Sequence, residues 1–392
     1  MRVAPDLRLG EFLPPLVLPG TSNPRFSVPS VAGRWTLLVA LPRAGDPAEA
    51  DAALAAALAP VRSRLDDESA LLFVLAPRAE EVGTRARDSI PGVRALADAD
   101  GAALAALGGT PEGGAVLLAD PFHRIYDGGP FAEVARVLGR LRDLPRPEDH
   151  AGVEVPPPVL VLPRLLEPEL CRRLIELYET GGAAESGFMR EVDGRTVALA
   201  DPSFKRRADH EITDGAALAA LRARVLRRLV PAIRAAFQFE ATRIERFIVA
   251  CYDAASGGFF RPHRDNTTKG TAHRRFAVTV NLNAEEYEGG DLRFPEFGRK
   301  TWRAPTGGAV VFSCSLLHEA TPVTRGRRFA FLPFLYDEAG ARIRQQNLAY
   351  LGPVAAAAPG GGAPPQETRP DAPAAAAPAP PGPTTAVSPS TG

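Results

Sequence analysis

Two histidines and an aspartate have the residue types and the spacing of a metal site. His263 and Asp265 are separated by one residue, and alternate side chains of an extended segment point to the same side. His318 follows at the end of an apolar run, far enough along the chain for several strands to return it to the first pair. Two imidazoles and one carboxylate leave open coordination positions, and this ligand set favours Fe(II). The sequence therefore predicts a metal centre at His263, Asp265 and His318.

A cation is predicted to enter the same pocket from a following strand. Residues 327–332 are typical of a β-strand and begin with two arginines. Neighbouring residues of a strand point to opposite faces, so only one of them can reach the pocket, and the spacing from His318 selects Arg328. A guanidinium can bind a carboxylate through two parallel hydrogen bonds.

These residues, with the segments 322–328 and 288–294, resemble the 2-oxoglutarate- and Fe(II)-dependent oxygenases of the prolyl 4-hydroxylase type. The resemblance implies that His263, Asp265 and His318 are catalytic and hold Fe(II). It also implies that 2-oxoglutarate chelates the metal and pairs its far carboxylate with Arg328, that O2 is the second co-substrate, and that ascorbate serves as a reductant. Succinate and CO2 would be released.

Tyr252 lies where this family places a pocket tyrosine. Its hydroxyl could bind the co-substrate or a ligand carboxylate, or the side chain could simply lie at the edge of the core. The sequence leaves both interpretations open.

The function implied by the resemblance is hydroxylation of a C–H bond in a peptidyl or small-molecule substrate. The alternative is a non-catalytic binding protein, or an oxygen or iron sensor, that uses its N-terminal domain as an interaction module. Substrate turnover distinguishes the two. The sequence does not identify the substrate or the oligomeric state.

Length and composition indicate two domains and a tail. The chain has 392 residues, which is longer than a domain with a single hydrophobic core usually is. Prolines mark a linker at residues 146–157, between domains at 1–145 and 158–345, and residues 353–392 are rich in Ala, Pro and Gly. Such a tail has too few branched and aromatic side chains to form a core and is predicted to be disordered.

Charge and hydropathy give expectations about partners and location. The 46 basic residues balance the 46 acidic ones, which gives no reason to expect nucleic acid or an anionic membrane as a partner. No apolar run approaches the length that spans a membrane, and the first residues lack the apolar core of a secretory signal. Three cysteines form no zinc or disulfide pattern. We expect a cytoplasmic protein.

The first third of the chain alternates strand-like and helix-like segments, which predicts an α/β fold. The order resembles a thioredoxin-like fold of the peroxiredoxin subclass. A peroxiredoxin needs a thiolate after its first long strand, but residues 41–49 contain no cysteine, and every cysteine lies beyond residue 170. The N-terminal domain is therefore predicted to be inactive towards peroxide and to act in partner binding, substrate presentation or domain packing. A peroxidase is accordingly disfavoured as a third function.

The second domain is predicted to consist of antiparallel strands that form a double-stranded β-helix, a relative of the jelly roll, with flanking helices. One helix is predicted at residues 79–89 in the first domain and a long amphipathic one at 215–237 in the second. Residues 181–209 are polar and contain glycines, which is typical of a mobile loop over an active site.

The other histidines are predicted to lie outside the metal site. His123, His150 and His273 are expected at the surface, and His210 in a solvated charged loop. Cys251 and Cys314 lie in apolar strands and are expected to pack in the core.

Overall fold

A computed structural model describes residues 9–21, 23–77 and 91–352, and the backbone of residues 367–368. We call residues 9–145, within these ranges, the N-terminal module, and residues 158–352 the C-terminal module. The predicted helix at 79–89, the first residues of the chain and nearly all of the predicted disordered tail lie outside the described residues.

The N-terminal module is an α/β structure, as predicted. Its central sheet has the strand order β5-β4-β3-β6-β7. Strands β3, β4 and β5 are parallel, β6 is antiparallel to β3, and β7 is antiparallel to β6. Strands β3 and β4 are buried along their whole length, which explains their continuous apolar sequences. The strands are β1 Val17–Leu18, β2 Phe26–Ser27, β3 Trp35–Ala40, β4 Ala70–Ala76, β5 Val93–Ala97, β6 Ala115–Ala119 and β7 Ile125–Gly129, and the α-helices are Pro47–Leu58, Ala102–Ala106 and Val134–Gly139.

Apolar side chains cover both faces of this sheet. One face packs against the helices Pro47–Leu58 and Val134–Gly139. The other packs against the helix Ala102–Ala106 and the segment that contains Leu13, Leu16 and Val28. Asp46 caps the first of these helices by accepting a hydrogen bond from the backbone N–H of Ala48.

The C-terminal module contains two antiparallel sheets. The major sheet follows the order β26-β14-β25-β17-β24-β15-β13-β9, with β21 and β8 added beside β17, and the minor sheet follows β12-β16-β22-β19-β20. The strands are β8 Leu160–Leu162, β9 Ala184–Glu185, β10 Phe188–Val192, β11 Arg195–Leu199, β12 Lys205–Arg206, β13 Ala208–Glu211, β14 Arg243–Glu245, β15 Ile248–Asp253, β16 Phe259–His263, β17 Phe276–Asn281, β18 Glu288–Gly289, β19 Leu292–Arg293, β20 Thr301–Trp302, β21 Ala309–Ser313, β22 His318–Ala320, β23 Val323–Arg325, β24 Arg327–Phe331, β25 Phe334–Tyr336 and β26 Glu367–Thr368.

The two faces of β15 show how the module is layered. Ile248, Ala250 and Tyr252 point inward and join Phe260 and Ala320 of the minor sheet in one apolar cluster. The intervening residues, Val249 and Cys251, pack outward in the cluster that contains the helices. Those helices are Pro168–Gly181, Gly215–Arg224 and Val230–Phe237, with a π-helical turn Val225–Leu229 joining the last two, and a fourth helix, Glu338–Asn347, follows the last strand of the core. The prediction of flanking helices on a two-sheet core is confirmed.

The two modules touch through a glycine. Gly33 has φ +92°, and a Cβ at this position would lie 2.2 Å from the carbonyl oxygen of Pro295. Nearby, the rings of Phe122 and Phe297 meet edge to face with their centres 5.2 Å apart. The proline-rich linker between the modules contains only a short 3-10 turn, Pro147–Asp149.

Some local predictions were wrong. Residues 181–209 form strands β9 to β12 and the start of β13 instead of an irregular loop, and β10 and β11 pair as a hairpin. His210 belongs to β13 and pairs with Val249. His123 and His273 are buried and His150 is half-buried, because these rings contact Thr36, Glu245 and the ring of Phe122, respectively.

Candidate metal centre

His263 and His318 are brought together by strand pairing in the minor sheet. They are register partners at the ends of β16 and β22, and their ring centres are 4.3 Å apart. Asp265 lies in the turn just after β16, where its backbone N–H donates to the carbonyl of Cys314 at 2.9 Å. The three side chains offer ligand atoms that lie within 4.8 Å of one another. The predicted triad therefore converges.

Hydrogen bonds to the backbone orient both imidazoles. Nδ1 of His263 lies 2.7 Å from the carbonyl oxygen of Arg261, and Nδ1 of His318 lies 3.0 Å from that of Leu316. A carbonyl can only accept, so each Nδ1 carries the proton and each Nε2 keeps its lone pair. The Nε2 atoms of His263 and His318 lie 3.5 and 3.3 Å from the two carboxylate oxygens of Asp265. The lone pairs and the carboxylate therefore face one point.

The protonation states suit a metal. Burial by itself would raise the pKa of the Asp265 carboxyl, but His318, His263 and Arg274 outweigh it and hold that pKa well below its ordinary value. Burial, together with repulsion from His263, lowers the pKa of His318 to about 4. At neutral pH the site thus presents a carboxylate and a neutral imidazole, the forms that coordinate metals. The residues fit an ion such as Fe(II).

Arg328 lies opposite this triad on the major sheet. It is 2% exposed, and its Nε and Nη1 atoms have no hydrogen-bond partner among the described residues. Its neighbour Arg327 points the other way and pairs with Glu179, as the alternation along the strand predicts. A buried guanidinium without an anion is costly, and its presence at the wall of a cavity indicates a ligand with negative charge.

The glycine-rich segment 288–294 gives the Arg328 side chain its space. A Cβ at Gly290 would lie 3.1 Å from Cδ of Arg328, and Gly290 has φ +68°, a conformation that other residues rarely adopt. The segment 288–294 therefore contributes to the site through the absence of a side chain.

Tyr252 is the register partner of Arg328 and is 3% exposed. The guanidinium carbon of Arg328 lies 4.9 Å from the centre of its ring. Its hydroxyl accepts a hydrogen bond from Nη1 of Arg207 at 3.4 Å. Tyr252 is therefore a buried core residue that also lines the cavity, and its binding of the co-substrate or a ligand carboxylate stays a prediction.

A single cavity of about 1310 Å³ joins these groups. The triad, Arg328 and Tyr252 all line it, as do the β10–β11 hairpin and residues 23–27 of the N-terminal module. The volume exceeds the roughly 300–1,000 Å³ of ordinary small-molecule sites, so it has room for more than one ligand.

Sequence reasoning missed three cations in this cavity: Lys205, Arg207 and Arg246. Residues 181–209 were predicted to form a mobile loop, and that prediction concealed Lys205 and Arg207. The signal was the spacing: Lys205, Arg207 and Asp209 alternate along a strand-like segment and therefore share a face. Arg246 follows no pattern, because it lies in the break between β14 and β15 with φ +72°.

The comparison with known families agrees with this geometry. Residues 247–336, which include the triad, Arg328 and Tyr252, match the 2OG-Fe(II) oxygenase superfamily. The C-terminal module is a 2OG-Fe(II) oxygenase domain. Fe(II), 2-oxoglutarate and O2 are the cofactor and co-substrates of this superfamily. From here we call the module the oxygenase domain.

Several bacterial PKHD-type hydroxylases are similar to this domain. One from Synechococcus sp. (strain JA-2-3B'a(2-13)) is 30% identical over 150 residues, covering 31% of this chain and 66% of that protein. One from Shewanella frigidimarina is 46% identical over 77 residues, covering 19% of this chain and 34% of that protein. The chain thus spans 66% or less of the length of these relatives.

Two solved structures are also similar. A Pseudomonas putida prolyl-4-hydroxylase has 21% identity and a TM-score of 0.36, covering 48% of this chain and 96% of that one. A Trichoplax adhaerens prolyl hydroxylase, solved with a peptide fragment of hypoxia inducible factor, has 16% identity and a TM-score of 0.38, covering 53% and 92%. No helix in the described ranges is long and apolar enough to cross a membrane.

Proposed function

We propose that this protein is an Fe(II)- and 2-oxoglutarate-dependent oxygenase that hydroxylates a C–H bond of a peptidyl or small-molecule substrate. One observation carries the proposal: the ligand triad and Arg328, whose buried guanidinium makes no ion pair with a described residue, line the same cavity. A metal-ligand set and a carboxylate-binding group are the two parts that this chemistry requires. The similarity to PKHD-type hydroxylases supports the same reaction class.

The proposed reaction balances as follows. The substrate C–H, O2 and 2-oxoglutarate give the hydroxylated substrate, succinate and CO2, with one oxygen atom in the new hydroxyl and the other in succinate. Fe(II), when bound, supplies the activation of O2, and the protein supplies binding and orientation.

The side chains have distinct roles in this proposal. His263, Asp265 and His318 hold the metal, and the carbonyls of Arg261 and Leu316 keep both rings turned towards it. Arg328 binds the far carboxylate of 2-oxoglutarate in a charge-assisted contact, and the Tyr252 hydroxyl donates to a carboxylate oxygen beside it. The apolar residues around Phe260 and Ala330 keep water away from the reacting groups.

We further propose that the N-terminal module is a thioredoxin-like scaffold that helps to present the substrate. Its mixed sheet, with parallel strands followed by an antiparallel pair, supports the fold assignment. Its residues 23–27 line the cavity, and all three cysteines belong to the oxygenase domain. The module would therefore shape the cavity mouth and have no thiol chemistry of its own.

The experiment that tests the activity is an anaerobic titration with Fe(II) and 2-oxoglutarate, followed by admission of O2. A visible metal-to-ligand charge-transfer band should appear, and succinate should be released in proportion to hydroxylated substrate. Ligand binding without succinate under any substrate mixture would favour the binding or sensing alternative. Comparing cell extracts incubated with and without the enzyme, and searching for an added oxygen mass, would identify the substrate.

A further inference from the structure

The active-site cavity contains more positive charge than the co-substrate needs. Lys205, Arg207 and Arg246 line it together with Arg328. We call the first three the second cationic cluster. Lys205 and Arg207 are 4% and 7% exposed, and their spacing places them on one face of the extended segment at β12. Because the whole chain is neutral, this concentration of charge is a local feature.

Asp209 is the one carboxylate in the described ranges that pairs directly with the cluster. Its Oδ2 atom lies 2.6 Å from Nη2 of Arg207. Lys205 instead donates to neutral acceptors, the Ser186 hydroxyl at 2.7 Å and the Gly187 carbonyl at 2.6 Å. Glu245, next to Arg246 in sequence, is committed to His273 and Arg274. The two guanidinium groups and the amine of the cluster thus have one carboxylate in direct contact, and it contacts Arg207.

Arg207 keeps a buried donor that no described residue uses, and Arg246 and Lys205 have more N–H groups than hydrogen-bond acceptors in the described ranges. The Nε atom of Arg207 is buried without a partner. Arg246 directs Nε and Nη2 to the carbonyl of Leu332, which leaves Nη1. Lys205 has three N–H groups and two acceptors. Buried donors are normally satisfied, so the unused Nε of Arg207 at the cavity wall indicates a ligand that accepts hydrogen bonds.

The electrostatics of the cluster agree with this. Burial, with a contribution from Arg207, lowers the pKa of Lys205 well below its ordinary value. Burial also lowers the pKa of Arg246 to about 10, and repulsion from Arg207 and Arg274 adds to the effect. An anion placed among these groups would reverse the repulsion.

The cluster is separate from the position of the 2-oxoglutarate carboxylate. The ring of Tyr252 lies between the two groups: its centre is 4.9 Å from the guanidinium carbon of Arg328 and 5.8 Å from that of Arg207. The cluster is also close to the metal site, because Nζ of Lys205 lies 5.0 Å from the ring centre of Phe260, and that ring stacks on His263 at 3.6 Å.

We infer that the primary substrate carries an anionic group, a carboxylate or a phosphate, that binds to Lys205, Arg207 and Arg246. This inference rests on the proposed function and names the class of substrate. Arg328 binds the far carboxylate of 2-oxoglutarate, and the second cationic cluster binds the anionic group of the substrate. The cavity therefore fixes the position of the substrate relative to the co-substrate. Since the cluster is one aromatic ring away from His263, the hydroxylated carbon lies a few bonds from the anionic group.

The test uses the full chain loaded with Mn(II) and saturating 2-oxoglutarate in the absence of O2. Inorganic phosphate, acetate and N-acetyl-glutamate amide are titrated separately by calorimetry. At least one should bind with one site per chain, and the three probes distinguish phosphate, a free carboxylate and a peptide-like carboxylate. Lys205→Met and Arg246→Gln should each weaken that binding about tenfold or more, which is the usual effect of losing a charge-assisted hydrogen bond.

The control is Arg190→Gln. Arg190 lines the same cavity on the β10–β11 hairpin but packs over Phe188 outside the cluster, so this variant should bind the probe like the parent. All three variants should keep the parent's affinity for 2-oxoglutarate. The inference is overturned if no probe binds the parent, if Arg190→Gln weakens binding equally, or if Arg246→Gln and Lys205→Met lose 2-oxoglutarate instead. A parent that binds no 2-oxoglutarate would refute the proposed function itself.

Discussion

Tyr252 and Arg328 are direct neighbours on adjacent antiparallel strands, and the arginine side chain extends over the tyrosine ring inside the core. The aromatic face partly compensates the charge, but two guanidinium nitrogens still lack an acceptor among the described residues. The protein therefore maintains a buried charge at a free-energy cost that a bound anion can recover.

Arg328→Met should separate ligand binding from metal binding. We expect 2-oxoglutarate to bind more weakly by about 1.5–3 kcal/mol, because the variant loses a charge-assisted contact but no metal ligand. Without ligand, the variant should be at least as stable as the parent, since it no longer buries an unpaired charge. Calorimetry with 2-oxoglutarate and thermal denaturation of the ligand-free proteins measure the two effects.

Arg327→Met is the matched control for this substitution. Arg327 is adjacent in sequence but points outward and pairs with Glu179, so 2-oxoglutarate binding should not change. Equal losses in the two variants would show that Arg328 does not bind the co-substrate.

His263→Ala should abolish metal binding. The substitution removes one of three ligands and the ring that Phe260 stacks against. We expect less than stoichiometric iron by elemental analysis, no charge-transfer band with 2-oxoglutarate, and no succinate production. His210→Ala removes an imidazole that contacts the Gly182 carbonyl, away from the cavity, and should leave all three readouts intact. Iron bound at full stoichiometry by His263→Ala would contradict the triad.

His263, His318 and Arg328 were predictable because strand alternation fixes which side of a sheet a residue faces, and Asp265 follows His263 in the turn after β16. His318 begins β22 after the apolar strand β21, Arg328 lies in β24 beside its apolar residues, and both side chains are buried. His273 could not be placed in the same way. Its burial depends on Glu245, a partner remote in sequence that satisfies its Nε2 at 2.6 Å. A polar residue is buried when such a partner exists, and single-sequence patterns do not show partners.

Residues 181–209, which contain the β10–β11 hairpin, show a second reason why the sequence alone did not predict the structure. The polar and glycine-rich character of residues 181–209 predicts a loop, yet tertiary pairing of β12 with β16 and of β13 with β15 forms strands there. Strand propensity depends on the neighbours that a segment meets, so composition alone underestimates such edge strands. The same error hid Lys205 and Arg207.

Glu245→Gln should destabilise the oxygenase domain. Glu245 is 4% exposed and accepts hydrogen bonds from His273 and Arg274. Removing its charge leaves Arg274 buried without its directly paired carboxylate, and breaking such a buried pair typically costs about 3–5 kcal/mol. Chemical denaturation at pH 7 measures the loss, and Glu240→Gln, an exposed pair with Arg234, should change stability by less than about 1 kcal/mol.

The effect of Glu245 should depend on pH. Burial alone would raise its pKa, but Arg274 and His273 hold the pKa well below the ordinary 4.5. A carboxyl with a lowered native pKa stabilises the fold above its unfolded pKa and loses that contribution as pH falls towards the native value. The stability difference between the parent and Glu245→Gln should therefore be constant above about pH 5.5 and shrink below about pH 4.5. A difference that grows on acidification would contradict the assigned charge.

The native protein should show almost no thiol reactivity. Cys171, Cys251 and Cys314 are all buried, and burial raises the pKa of the Cys171 thiol to about 11. Thiolates are the reactive form, so a disulfide reagent should label the folded protein very slowly and label three thiols after denaturation. Peroxide should not be consumed in a thiol-dependent assay. Rapid labelling of the folded protein would contradict the burial of the three thiols. Thiol-dependent peroxidase activity in residues 1–145 would refute the prediction that the N-terminal module lacks redox chemistry.

Gly33→Ala should loosen the contact between the modules. The new Cβ would lie 2.2 Å from the Pro295 carbonyl oxygen, so the backbones must separate, and the positive φ adds about 1–2 kcal/mol of strain. Gly45 is the matched control, because it has nearly the same φ of +93° and no neighbouring atom within 4 Å of the place that a Cβ would occupy. Gly45→Ala should therefore show the backbone strain without separating the modules.

Limited proteolysis across residues 146–157 measures the difference between the two variants. Faster cleavage in Gly33→Ala alone shows that the modules dock through this glycine, whereas equal cleavage in both variants shows that they do not. If docking also shapes the cavity mouth, succinate formation with substrate should fall in Gly33→Ala while 2-oxoglutarate binding at Arg328 stays unchanged.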